Sequence, residues 1–312
     1  TRNKPLADLR IAVIGAGMSG LGAAQRLRRS GCSVVVFEKA RGPGGRLCTR
    51  RSSSGGFDHG TPYFHAHPSM IDAWIDSGIV APWKGRFGKV HHDGSITGMT
   101  TPRRWVGVPK MSAIGRWMAR ELDVRTGVRI LRLERASGSW MLTDTHDQSY
   151  GPFDALVLSC PGPQASALIP QDSSLCAVAK DMKYTVCFAA MLDFNARVPL
   201  NWDGIEFNGE PMAHAVRSNS KPGRSAHERW VLHANAGWSE KHQDDAPETV
   251  GRALERAFHR WSQSDAVQTT VHRWLYARSI HAQAQHAAID LSYRLALCGD
   301  GMTGGGVVEA IK

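Results

Sequence analysis

The residues best placed to do chemistry are glycines set beside a few charged side chains. Gly15-Ala16-Gly17-Met18-Ser19-Gly20 follows an apolar run and opens a helical pattern. In such a turn Gly15 permits the tight bend, Gly17 lets backbone approach a pyrophosphate, and Gly20 lets helix and strand pack closely. The amides of the helix start, Met18 and Ser19 included, then point at the phosphates. Glu38 lies 18 residues beyond Gly20. A carboxylate at that spacing can accept hydrogen bonds from ribose hydroxyls. The pattern fits NAD and FAD equally well.

Two further stretches extend it. In Arg41-Gly42-Pro43-Gly44-Gly45-Arg46, Gly44 and Gly45 let backbone approach a ligand and Arg46 can neutralise a diphosphate. A plain NAD domain has no need of this loop. Cys298-Gly299-Asp300-Gly301-Met302-Thr303-Gly304-Gly305-Gly306-Val307 lies near the other end of the chain. Asp300 can accept from a sugar-alcohol hydroxyl, and a helix opening at Val307 can aim its amides at a polar ring edge. Of 32 glycines, 11 fall in residues 1–60 and 5 in residues 299–312, whereas the 10 tryptophans begin only at Trp74. That split suggests a glycine-rich cradle made from both ends of the chain, with an aromatic-rich portion between.

The elements that must position these residues follow from apolar patterning. Residues 9–14 read as a buried strand, 18–29 as a helix with Leu21, Ala24 and Leu27 inward, and 33–37 as a β-branched strand. This is a βαβ unit and implies a parallel sheet. A helix is expected over 112–122, and strands over 128–132, 140–143 and 155–159. Further strands are expected at 184–194, 213–217 and 230–234, a helix at 247–261, and strands at 271–276 and 293–298. The fold class is therefore α/β. A Rossmann-like domain is built from discontinuous segments, and a second domain has a largely antiparallel sheet and helices. The chain opens without Met and ends soon after Val307, which reads as trimming at both ends.

Composition narrows the function classes. Apolar residues at 42% and charged residues at 21% describe a globular protein. No apolar run approaches the ~20 residues of a membrane span. The 6 cysteines form no C-x-x-C pair, as expected of reduced thiols in the cytoplasm. A net charge of +10 attracts polyanions in general, but the basic residues are dispersed and no nucleic-acid motif appears. The 14 histidines show no metal-ligand spacing. Pro161 and Pro163 spoil a nucleophile elbow at Ser159, and that turn is expected to pass near the cofactor.

Together these motifs resemble the flavin amine oxidase superfamily. Four stretches narrow the resemblance to its bacterial renalase-like branch: Phe57-Asp58-His59-Gly60-x-x-Tyr63-Phe64, Arg104-Trp105-Val106-Gly107-x-Pro-x-Met-Ser112, Trp230-Val-Leu-His-Ala234 and His272-Arg273-Trp274-Leu275-Tyr276-Ala277. The resemblance implies non-covalent FAD and an oxidoreductase. Its expected reaction is oxidation of 2- and 6-dihydro isomers of NAD(P)H, with dioxygen reoxidising the flavin to give hydrogen peroxide. Residues 1–65, 112–165 and 270–312 would form the FAD domain, and 66–111 and 166–269 the substrate domain. Gly15, Gly17, Met18, Ser19, Gly20, Glu38, Lys39, Gly45, Arg46, Gly60, Val128, Asp300 and Val307 would contact FAD. Pro62, Tyr63, Phe64, Arg104, Trp105, Val106, Trp274, Tyr276, Gly301 and Met302 would line the substrate pocket. No side chain is assigned a catalytic role, because the flavin performs the chemistry. Two positions depart from the branch: Pro62 stands where relatives tend to have Gln, and Gly301-Met302 where they tend to have Trp-Cys. Other outcomes left open are an amine oxidase or dehydrogenase of a specialised metabolite, and a flavin- or nucleotide-binding sensor without turnover.

Overall fold

The computed structural model describes residues 4–53, 55–100, 102–280 and 285–311. The chain forms two compact units. The first comprises residues 1–46, 115–184 and 278–312; the second comprises 47–114 and 185–277.

The first unit is built on a six-stranded sheet. Its order is Asp123–Thr126, Ser33–Glu38, Arg10–Ile14, Ala155–Leu158, Leu295–Cys298 and Ala287–Asp290. Every neighbouring pair is parallel except the last. We call Arg10–Ile14 β1, the helix Met18–Arg29 α1 and Ser33–Glu38 β2. Alternation along the strands sorts the side chains onto two faces. Ala12, Ile14, Val35, Phe37, Leu156, Leu158, Leu295 and Leu297 share one buried cluster with Trp140, Leu142 and Phe153. Those last three belong to a small antiparallel sheet of Ile130–Ala136, Ser139–Asp144 and Ser149–Phe153. The helix α1 packs on β1 and β2, with Leu21 and Ala24 fully buried.

The second unit carries a seven-stranded sheet. Its order is Gln268–Ser279, Tyr184–Asp193, Arg229–Ala234, Met212–Arg217, Gly204–Glu206, Phe87–Val90 and Ile96–Gly98. The helix Pro247–Ser262 covers it through Val250, Leu254, Ala257 and Phe258. Their spacing places them on one helical face. A smaller sheet sets Arg104–Gly107 between Phe64–His65 and Val80–Pro82. Among the described residues no helix is long and apolar enough to cross a membrane.

The divisions differ from those expected from sequence. Residues 47–65 belong to the second unit, because Asp58 is anchored there. Its carboxylate accepts from Thr49 Oγ1 (2.7 Å), Met111 N (3.1 Å), Lys221 Nζ (3.2 Å) and Arg224 (2.6 Å). Residues 166–184 belong to the first unit, because Leu175, Cys176, Ala179 and Met182 fill the cluster beneath the parallel sheet. The strand expected over 271–276 runs from Gln268 to Ser279 and leaves most of that segment in the second unit. The helix expected at Val307 begins instead as one turn at Asp300–Thr303. Gly304, Gly305 and Gly306 end it at φ +81°, +94° and +108°, and Glu309–Ile311 follows as a 3₁₀ turn.

The Asp58 cluster sets a stability prediction. Burial alone would raise this carboxyl, but Lys221 and Arg224 beside it outweigh burial and hold it at about 2. Burial pushes Lys221 down to about 8 against the pull of Asp58. Asp58→Asn leaves two buried cations facing each other, so urea denaturation at neutral pH should show a loss of ~3–5 kcal/mol. Because the folded pKa is depressed, the unfolded chain binds more protons as pH falls from about 4 to 2. Wild type should therefore lose ~2 kcal/mol across that window from this group, a slope that Asp58→Asn should lack.

Candidate functional site

The three glycine motifs meet within the first unit. Gly15 leaves β1 at φ +108° and donates its N–H to Phe37 O at 2.8 Å. A Cβ on Gly20 would stand 1.9 Å from Gly15 O, so the start of α1 rests directly on the turn. Gly17 is the N-cap and brings no side chain to cap the helix. A Cβ there would meet nothing within 4 Å, so the space in front of the helix amides is open. Glu38 anchors the turn from the end of β2. One carboxylate oxygen accepts from Ala16 N and the other from Ala40 N, both at 2.8 Å. Each oxygen keeps lone-pair capacity for a further donor.

The second motif lies on the first. Gly44 N donates to Ala16 O at 2.8 Å, and a Cβ on Gly45 would stand 3.2 Å from Gly17 Cα. The third joins through an ion pair between Arg46 and Asp300 at 2.8 Å. Sequence reasoning gave Arg46 to a diphosphate and Asp300 to a sugar hydroxyl; here each also holds the other. Thr303 Oγ1 is buried with no hydrogen-bond partner among the described residues. Val128 N donates to Glu38 O at 2.9 Å, which places Val128 beside the end of β2. The Ser159–Cys160 turn flanks Gly15: a Cβ on Gly15 would lie 3.0 Å from the Ser159 carbonyl. Lys39 is exposed and donates to Gln164 Oε1 at 3.1 Å. Met18 is buried, Ser19 and Val307 are half-buried, and Met302 is fully buried in the core cluster. An open helix start, a glycine loop laid over it and an Arg–Asp pair beside it fit a dinucleotide-type cofactor.

The second unit holds the remaining candidates. Phe64, Trp105 and Val106 are core: their exposures are 4%, 3% and 0%. The Trp105 indole donates to Ala66 O at 3.2 Å, and its strand lies between two others. Their side chains are packed into the unit, whereas the sequence reading places them at a substrate pocket. Tyr63 and Arg104 line a small cleft with Phe87, Glu206 and His214. The Arg104 guanidinium stacks 3.6 Å from the Phe87 ring centre and 4.9 Å from that of Tyr63. Gly60 and Pro62 are half-buried in the loop before them.

Trp274 belongs to a different group in this unit. Its ring lies 5.2 Å from His59 and 4.4 Å from His272. The His59 carbonyl accepts from Trp274 Nε1 at 2.9 Å and meets His233 Nε2 at 3.1 Å. A carbonyl only accepts, so His233 carries its proton on Nε2. Burial pushes His59 and His233 each down to about 4 and lowers His272 as well. Burial also pushes Cys48, beside His59, up to about 12. The three rings are thus neutral at neutral pH, and the Arg50 charge acts on His59 and His272 in the same direction as burial. Tyr276, half-buried, falls on the same strand face as His272 and Trp274 by their spacing of two. Sequence reasoning left His272 out, although that alternation was the signal for it.

The glycine turn makes a contrast that can be measured. Gly20→Ala forces backbone to move and should cost ~1–3 kcal/mol in chemical denaturation. Gly17→Ala enters open space at an ordinary φ of −71° and should cost ~1 kcal/mol or less.

Comparison with known proteins fits this geometry. A profile described as NAD(P)-binding Rossmann-like domain matches residues 13–74. One described as flavin containing amine oxidoreductase matches residues 93–309, more than half of the chain. A hydroxyneurosporene desaturase of Cereibacter sphaeroides is 47% identical over 51 residues, 16% of this chain and 10% of its own length. A zeta-carotene-forming phytoene desaturase of Myxococcus xanthus is 56% identical over 46 residues, 15% of this chain and 9% of its own. The chain thus spans about a tenth of the length of these curated relatives. Among solved structures, a putative protoporphyrinogen oxidase from Exiguobacterium shares the fold at TM-score 0.78 and 13% identity, over 97% of this chain and 96% of that one. Cyclohexylamine oxidase from Brevibacterium oxydans does so at TM-score 0.73 and 11% identity, over 97% and 96%. The chain belongs to the flavin-containing amine oxidoreductase family, a family of FAD-dependent oxidoreductases.

Proposed function

We propose that the chain is an oxidase that takes a hydride from a small, flat, reduced ring, and that this ring is a 2- or 6-dihydro isomer of NAD(P)H. The observation that carries the reading is the uncharged aromatic group of His59, His272 and Trp274. A dihydropyridine that loses hydride becomes an aromatic cation and has no proton to give up. Such a reaction asks for a flat, apolar seat and correct positioning, and it asks for no general base. Burial, aided by the Arg50 charge, holds both imidazoles neutral, so neither ring adds a positive charge of its own beside the developing cation.

FAD, when bound, accepts the hydride and passes the two electrons to dioxygen, giving hydrogen peroxide. The chain's own residues bind and orient. Gly17, Met18 and Ser19 present helix amides to the diphosphate, Glu38 accepts from the ribose, and Arg46 and Asp300 stand at the remaining polar part. Gly45 lets the second loop close over the first turn. We read the cofactor as non-covalent: burial holds Cys48 and Cys160 at about 12 and Cys298 at about 11, so none is a ready nucleophile.

Anaerobic mixing with the dihydronicotinamide isomers should bleach the flavin band in a single phase, and air should restore it with one peroxide per turnover. Unchanged absorbance with these isomers, together with bleaching by primary or secondary amines, would transfer the chain to the amine-oxidising reading. The family match over residues 93–309 supports that second reading. Trp274→Ala should lower kcat/KM by at least ~10-fold, about 1.4 kcal/mol, with FAD content unchanged. Gly17→Ala should do the opposite: the protein stays folded, but FAD binding measured by flavin fluorescence weakens by ~10-fold or more.

A further inference from the structure

Gly301 has a neighbour that its place in the sequence does not suggest. A Cβ at this position would lie 2.5 Å from Tyr184 Oη and 2.8 Å from Met182 Sδ. Real side chains do not approach that closely, so residue 301 can only be glycine while Tyr184 points where it does. Both residues belong to the first unit. The phenol arrives from the end of a strand more than 100 residues earlier in the chain. Its oxygen accepts from Gly162 N at 3.4 Å and lies 3.8 Å from Met182 Sδ. Burial pushes the Tyr184 phenol up to about 12, and the Asp300 charge adds to the shift. The hydroxyl therefore sits within electrostatic reach of both members of the Arg46–Asp300 pair.

We propose that Tyr184 is a positioning residue of the FAD site: its hydroxyl fills the notch left by Gly301 and thereby fixes the Gly299–Asp300 turn against Arg46. Gly299 stands at φ +146°, a conformation that favours glycine, and the turn's own backbone bonds are Met302 N to Gly299 O at 3.0 Å and Gly304 N to Asp300 O at 2.9 Å. The helical turn after it is only Asp300–Thr303. Tyr184 closes the inner side, and the Met182 thioether, an adaptable neighbour, fills beside it.

The inference rests on Asp300 and Arg46 being cofactor residues, as proposed above, and the experiment separates the two. FAD release from the holoprotein is followed by the rise of flavin fluorescence after dilution. Asp300→Ala reports on the site itself; an unchanged release rate there removes the reading on which Tyr184 depends. Tyr184→Phe keeps the ring and loses the hydroxyl, and it should release FAD about 3- to 10-fold faster with an unchanged far-UV spectrum. Gly301→Ala should release FAD faster still. The double variant Tyr184→Phe, Gly301→Ala should release it more slowly than Gly301→Ala alone, because the atom that crowds the added methyl most, at 2.5 Å, is gone and the flexible Met182 side chain can give way. The rescue reports the contact between the two side chains, and faster release from Tyr184→Phe alone reports the positioning role. Release from Tyr184→Phe at the wild-type rate overturns the proposal, and so does a double variant no slower than Gly301→Ala. Should Gly301→Ala fail to hold FAD at all, Tyr184→Phe alone decides.

Discussion

The Glu38 carboxylate holds two loops at once, and the first unit is arranged around that fact. One oxygen binds Ala16 N in the glycine turn and the other Ala40 N at the start of the next loop. The backbone carbonyl of the same residue takes Val128 N. A buried carboxylate with two charge-assisted hydrogen bonds is a rigid hinge post. Because Ala16 is fixed, its carbonyl can receive Gly44 N, and the glycine loop is laid across Gly17. Because that loop is fixed, Arg46 reaches Asp300 from the far end of the chain. A residue that sequence reasoning assigned to a ribose thus has an earlier duty. It builds the turn before any ligand arrives.

The second unit solves a different problem. It buries charge in more than one place: Arg217 pairs with Glu228 at 3.1 Å, and the Asp58 carboxylate faces Lys221 and Arg224 with side-chain exposures of 2%, 0% and 5%. Such a cluster is costly to desolvate, and only its mutual hydrogen bonds make it tolerable. The neighbouring residue, His59, is kept neutral by burial. Its carbonyl meets the Trp274 and His233 ring nitrogens. Burial and the nearby Arg50 charge together keep the His59 and His272 rings neutral beside this charged cluster.

Much of the first unit was legible in the sequence because its determinants are local. The apolar alternation of β1 and β2, the three-four spacing of α1 and the glycines between them each act within a few residues. The helix Met18–Arg29 has the expected ends for that reason. What was not legible depends on long-range packing. The strand Ala287–Asp290 is short, pairs antiparallel at a sheet edge and exposes Ile289 at 63%, so no apolar pattern announces it. The burial of Phe64, Trp105 and Val106 follows from a three-stranded sheet whose strands are each two to four residues long. Aromatic residues in a motif look alike whether they line a pocket or fill a core. The division between units was misplaced at residues 47–65 because the tie that settles it, Asp58 to Lys221 and Arg224, spans about 160 residues.

Gly301 shows how a position can mislead when it is judged alone. From sequence it is a small residue that departs from the pattern the resemblance implies. In three dimensions the volume is occupied, because Tyr184 and Met182 reach into it from another segment. A glycine in a tightly filled place records the bulk of its neighbours. Gly17 is the contrary case, since nothing approaches its missing Cβ. The two glycines look equivalent in composition, yet one is small to admit protein and the other is small to leave room for something else. The excess of glycine at the two ends of the chain is thus a mixture of both kinds. The open kind leaves space in front of the backbone, as at Gly17; the filled kind records which distant residue shapes its surroundings.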